Sequence, residues 1–228
     1  MKTGMSQQEK INGRYERKNY RNSANPRIKW LLIDIGDVLL LKDRDKNFSI
    51  LLAEELGVDI ELAQQINKVH YTTMDAKYIP EEAFVIELER SLGYKAPKDI
   101  FSYFARAYQQ QVRPNTELFT FLDTMRATGI KTAVLSNTIA IYRTIQKQAG
   151  ISLENGFDPI LYSWRVEMLK PNKDIFELAV RELKVQPEEI LFIDDKLEHV
   201  GGAQQVGMKT LLFDETENVI SKIRELCR

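Results

Sequence analysis

An α/β fold, built on a doubly wound and mainly parallel sheet with a small helical cap inserted into it, follows from three features of this sequence. Apolar runs of strand length recur at residues 30–33, 131–135 and 189–193 without the alternation of a half-exposed strand, the pattern of strands covered on both faces. Helical patterns lie between these runs, so right-handed crossovers join parallel neighbours. Residues 46–112 carry helical patterns alone, with no parallel-strand signal.

Composition bounds the class. With 228 residues, 43% of them apolar, the chain can bury a sizeable core and suits one domain with an insertion. Cys227 is the single cysteine, which excludes an intramolecular disulfide and a cysteine metal cluster and points to a reducing compartment. No apolar run reaches the roughly 18 residues of a membrane span, and the N-terminus lacks the apolar centre of a secretion signal. A cytoplasmic protein without a membrane span is expected. Oligomeric state is not fixed by the sequence.

Residues 1–29 hold eight Lys or Arg against Glu9 and Glu16. With almost no aliphatic residues this leader cannot bury enough surface to order itself, so residues 1–28 read as a disordered basic arm. Its charge suits RNA, phospholipid headgroups or an acidic partner; nucleic acid is not an expected partner, although the arm leaves that contact open. The α/β core is assigned to residues 29–45 and 113–228, and the cap to 46–112.

The strand at 30–33 ends in Asp34, and Gly36-Asp37 gives a turn before a second extended piece at 38–41. The cap opens with a helix over 48–56, closed by Gly57. Asp59 is placed to cap the next helix, through Leu62, Ile66 and Val69; Pro80 opens another that ends at Gly93, and 100–108 continues the pattern. The core resumes with an amphipathic helix at 117–127 that Gly129 stops before the strand at 131–135. Then follow a helix at 141–148, a short strand at 157–162, a helix at 175–183, the strand at 189–193, a helix at 200–206 stopped by Gly207, a strand at 209–213 and a helix at 217–227.

In open α/β sheets, ligands bind in the crevice beyond the strand carboxyl ends. Here each such end delivers polar chemistry: Asp34; then Ser136-Asn137; then Lys170-Pro171; then Asp194-Asp195. Any one of these is an ordinary turn or helix start. Their order and strand contexts resemble the haloacid dehalogenase-like hydrolase superfamily, whose members are mostly magnesium-dependent phosphatases.

The resemblance implies Asp34 as nucleophile, forming an aspartyl-phosphate that water hydrolyses. It implies Lys170 as the cation facing both Asp34 and the phosphoryl group, with Ser136 donating to the same oxygens and Asn137 binding on the substrate side, where it orients the loop or the nucleophile. Magnesium would take a carboxylate oxygen of Asp34, the backbone carbonyl of Gly36 and Asp195, with Asp194 acting through a water; hard oxygen ligands suit that ion. The substrate would be a small phosphorylated metabolite.

Three departures from the family pattern stand out. Most of its phosphatases carry Asp two residues after the nucleophile, as general acid and base, where this chain has Gly36. Acid–base catalysis contributes about 10²- to 10⁴-fold in rate. Asp37, if the chain stays extended, points to the opposite face and is not given that role. Glycine here also marks a subset similar to α-glucose-1-phosphate phosphatases, sharing residues 34–38, 134–138 and the tail from Ile193. An anomeric oxygen leaves readily without an acid, which favours a sugar phosphate such as glucose 1-phosphate. Glu167 stands where glycine is common, and His199, expected to be held by local hydrogen bonds, where asparagine is common.

Three rivals are weighed. A 2-haloacid dehalogenase shares the fold and nucleophile but needs no magnesium, and the intact Asp194-Asp195 pair speaks against it. A two-component receiver domain has its paired acids before the phosphorylated Asp. A member that lost turnover would act by binding or regulation.

Overall fold

The computed structural model describes residues 27–74, 81–93, 95–153 and 155–227. The basic arm falls on residues 1–26, outside the described residues, as does Pro80. Ile28, assigned to that arm, is fully buried in the core, because a strand needs cover on both faces from its first residue.

Five parallel strands form the central sheet: β1 (Trp30–Ile33), β4 (Lys131–Ser136), β5 (Ile160–Tyr162), β6 (Ile190–Asp194) and β7 (Lys209–Leu212), in the order β5-β4-β1-β6-β7. β1 lies in the middle, with Ile33 level with Val134 on one side and Ile193 on the other. Successive side chains point to opposite faces. Leu31 and Ile33 therefore enter one core layer and Trp30 and Leu32 the other, which explains why the run is apolar throughout. The second layer is closed by α8 (Lys173–Leu183) and α9 (Leu197–Gln205), through Ile175, Phe176, Ala179 and Ala203.

Between β2 (Leu40–Lys42) and β3 (Val112–Pro114) the described residues form four helices: α1 (Phe48–Leu56), α2 (Ile60–Met74), α3 (Glu81–Leu92) and α4 (Ile100–Gln111). Gly57 caps α1 in the left-handed region, and the Asp59 carboxylate accepts from the Leu62 amide at 2.8 Å, as helix-end chemistry dictates. Phe104 joins the helices, 5.9 Å from Phe48 and edge-on to Phe84 at 6.1 Å. The group rests on α6 (Ala140–Gln148): Gln109 donates to the Ala149 carbonyl at 2.8 Å, Tyr108 meets Tyr142 edge-on at 5.9 Å, and the Thr144 hydroxyl donates to Glu81.

β2 and β3 pair antiparallel, a ribbon the sequence did not announce. Asn115 anchors its end: it caps α5 (Thr116–Ala127) by accepting from the Leu118 amide, and its side chain donates to the Val38 carbonyl at 3.0 Å. The extended piece expected at 38–41 begins only at Leu40, because Asp37 to Leu39 form a turn. Helix α8 starts at Lys173, behind Asn172, ahead of the residue 175 expected. The remaining helices are α7 (Ser163–Val166) and α10 (Thr216–Leu226). Among the described residues, no helix is long and apolar enough to cross a membrane.

Candidate active site

The parallel register brings the strand ends together at one edge. Asp34 follows Ile33 directly, and its amide donates to the Ile193 carbonyl at 2.9 Å, so the two central strands hold Asp34 beside Asp194. Carboxylate oxygens of Asp34, Asp194 and Asp195 all lie within 4.8 Å of one another. Lys170 comes from the loop before α8, and its ammonium is wholly buried among them. An ammonium has three donors, and each is used: Asp34 Oδ1 at 2.6 Å, Asp194 Oδ2 at 2.7 Å and the Leu135 carbonyl at 2.9 Å. The Phe192 ring lies beneath, 5.5 Å from Nζ.

Asn137 sets where Lys170 starts. Its Nδ2 donates to the Lys170 carbonyl at 2.8 Å and its Oδ1 accepts from the Lys170 amide at 2.9 Å. The amide expected on the substrate side thus clasps the lysine backbone across 33 residues of chain. Ser136, the last residue of β4, is buried next to the carbonyl that accepts from Lys170. On the far side of the loop, Gly202 of α9 passes so close that a Cβ there would meet the Pro171 carbonyl oxygen at 2.4 Å; only glycine allows this approach.

Burial alone would drive the Lys170 ammonium to lose its proton, but the Asp34 and Asp194 carboxylates outweigh it and its pKa is raised. Burial likewise opposes charge on Asp194, yet hydrogen bonds and charge from His199 and Lys170 prevail and hold its carboxyl below the usual range. Asp195 goes the other way. Burial, then the charges of Asp34, Asp194 and Asp37, push it up.

The donor set fits a divalent cation. Three carboxylates face one ammonium, an excess of two negative charges, and the repulsion felt by Asp195 is what a cation relieves. Asp194 is engaged at both oxygens by Lys170, His199 and the Lys196 amide. Lys170 takes Asp34 Oδ1, leaving Oδ2 for another partner. Oxygen-only donors of this kind suit magnesium.

Position 36 is not filled by glycine for want of room: a Cβ there would lie 3.8 Å from Asp34 Oδ2, an ordinary contact. The argument from an extended chain does not apply to Asp37, whose φ is 54°; its carboxylate accepts from the Lys42 amide at 3.1 Å. Glu167 also has φ 54°, a conformation costing an L side chain roughly 1 kcal/mol, which is why glycine suits that position. His199 is buried with Nδ1 3.0 Å from both Asp194 oxygens. Neither that contact nor the Asn137 clasp carries a signal in sequence spacing.

A parallel sheet with Asp34, Lys170, Asp194 and Asp195 gathered at its carboxyl edge is an α/β fold with an acid-lined site. A sequence model of the haloacid dehalogenase-like hydrolases matches residues 28–207, and the chain belongs to that family. A solved HAD-like hydrolase of Porphyromonas gingivalis is 26% identical with a TM-score of 0.70, covering 89% of this chain and 99% of that one. A HAD family enzyme of Bacteroides thetaiotaomicron, solved with magnesium and inorganic phosphate, is 22% identical with a TM-score of 0.66, covering 84% and 98%.

Among characterised relatives, the glyceraldehyde 3-phosphate phosphatase of Methanopyrus kandleri is 23% identical over 81% of this chain and 83% of its own. An (S)-2-haloacid dehalogenase of Pseudomonas is 24% identical over 75% and 77%. The similarity to bifunctional epoxide hydrolase 2 of Sus scrofa, 29% identical, covers 45% of this chain and 19% of that protein.

Proposed function

We propose that this protein is a magnesium-dependent phosphomonoester hydrolase that works through an aspartyl-phosphate on Asp34. The observation that carries the reading is the buried Lys170 ammonium spanning Asp34 and Asp194, with Asp195 beside them and two negative charges in excess. A relative named as a phosphatase and a fold neighbour holding magnesium and phosphate support it. Asp34, the Gly36 carbonyl, Asp195 and Asp194 would hold magnesium, which would supply the positive charge that lets a phosphate approach these acids.

In this mechanism Asp34 attacks phosphorus in line; its oxygen–phosphorus bond forms as the bond to the leaving oxygen breaks. Water then attacks the phosphorus, releasing phosphate and restoring the carboxylate. The Lys170 charge, held on Asp34, and the Ser136 hydroxyl, donating to the phosphoryl oxygens, supply the charge neutralisation that contributes most, and Asn137 holds the Lys170 backbone in place. Residues 46–112 act as the cap that selects the substrate. Gly36 provides no proton for the leaving oxygen, so good leaving groups are favoured, a sugar 1-phosphate such as glucose 1-phosphate among them.

Phosphate release from glucose 1-phosphate, glucose 6-phosphate, acetyl phosphate and p-nitrophenyl phosphate, with and without magnesium, tests the reading. Asp34→Asn is expected to lower turnover by about 10⁴-fold or more; an unchanged rate would remove Asp34 as nucleophile. Gly36→Asp has room for its Cβ and is expected to raise turnover of glucose 6-phosphate by about 10-fold or more, while acetyl phosphate changes little. An equal effect on both would break the leaving-group argument.

The dehalogenase relative, similar over three quarters of the chain, supports a second reading. Halide released from 2-chloropropionate without magnesium would establish it. Absence of both activities, with phosphate and magnesium still bound, would establish a member that acts by binding.

A further inference from the structure

Lys170 has three acceptors, and two of them are held by the sheet itself: the Leu135 carbonyl closes β4, and Asp34 follows β1. The third, Asp194, closes β6, but its carboxylate could still turn about its own side chain. The Lys196 amide anchors one oxygen at 2.9 Å, which fixes a point and leaves a rotation. His199 removes that rotation, since its Nδ1 lies 3.0 Å from both oxygens at once. An ionised carboxylate offers only acceptors, so Nδ1 carries the proton and donates. The ring is 4% exposed, and its other nitrogen faces Glu198 at 3.9 Å.

We propose that His199 is a positioning residue: by clamping the Asp194 carboxylate across both oxygens, it holds the Lys170 ammonium on Asp34. Without it, Asp194 would keep the Lys196 amide and swing, and the ammonium would lose the fixed third acceptor that sets its place on Asp34. His199 touches neither substrate nor phosphorus, and its effect passes through Asp194 to Lys170. An asparagine at the same place has an amide that can donate to Asp194, whereas a leucine fills the space and donates nothing.

The inference rests on the phosphatase reading for its kinetic consequence, and the test separates the two. With p-nitrophenyl phosphate and magnesium, His199→Leu is expected to lower kcat by about 10- to 100-fold, the range for losing a hydrogen bond to a charged group, with KM moving far less. His199→Asn is expected to recover most of that loss. Thermal unfolding of each variant checks that the fold survives. Independently of turnover, ¹⁵N-lysine NMR should give one slowly exchanging ammonium resonance, identified by its loss in Lys170→Met, present in the unaltered protein and in His199→Asn and broadened away in His199→Leu.

Wild-type kcat and an intact ammonium signal in His199→Leu would overturn the role of His199, as would failure of His199→Asn to do better than His199→Leu. If the unaltered protein releases no phosphate, the phosphatase reading fails and the NMR comparison alone decides the positioning. An ammonium signal absent from the unaltered protein overturns it too.

Discussion

At its carboxyl edge the central sheet buries Asp34, Lys170, Asp194 and His199, all four of the buried ionisable side chains among the described residues outside the tyrosines and Cys227. At its amino edge the charges stay in reach of water. Lys29, 58% exposed, pairs with Glu189 at 2.6 Å, and an open cleft of about 520 Å³ is lined there by Lys131, Asp158, Glu182 and Lys184. Both edges terminate the same strands, and apolar strand interiors stabilise the sheet without either. The difference shows that burial of charge is a property of one edge, set by the loops that follow the strands. A buried pair contributes little net stability yet is costly to break.

The largest expected effect follows from that asymmetry. Lys170→Met in the metal-free protein leaves Asp34 and Asp194 facing each other in a dry site and is expected to destabilise by about 3–5 kcal/mol. Lys29→Met at the other edge is expected to cost less than about 1 kcal/mol. Urea denaturation of the two variants measures the contrast directly, and equal losses would break it.

The helices inserted after β2 add a pH-dependent term. Burial between α4 and α6 pushes the Tyr108 phenol up to about 12, opposed by its contact with Gln146 and reinforced by the charge of Asp37. The unfolded chain sheds that proton near 10, so this contribution is complete below pH 10 and is lost as pH rises toward 12, by roughly 2–3 kcal/mol. Stability against pH for Tyr108→Phe should lack that part of the decline. The smallest effect concerns strain. Glu167→Gly relieves a left-handed residue beside the Lys170 loop and is expected to raise stability by about 1 kcal/mol, read as a shift in denaturation midpoint.

The legible parts of this molecule are those where one residue type at a strand end implies one kind of chemistry. Asp34, Ser136 and Asp194-Asp195 follow or close apolar strands, and the parallel register places them at one edge, while Lys170 reaches them from the loop beyond α7. The β2–β3 ribbon was not legible, since three residues such as Val-Arg-Pro carry no period. The Asn137 clasp was hidden for another reason: it reaches Lys170 across 33 positions and exists only once the loops have closed, whereas the local hold on His199 was expected and runs to Asp194 five residues back. For Asp37 only the premise fails: a left-handed residue stands where its direction was argued from an extended chain.

Helix α6 begins just past the Ser136-Asn137 loop and also receives Gln109, Tyr108 and Glu81 from the helices inserted after β2. The insertion is therefore not an exchangeable module. A chimera that transplants residues 46–112 from a relative would arrive with foreign side chains against α6, the helix that follows the loop of the Asn137 clasp. Engineering a new selectivity into this scaffold calls for grafting α6 together with the insertion as one inherited unit.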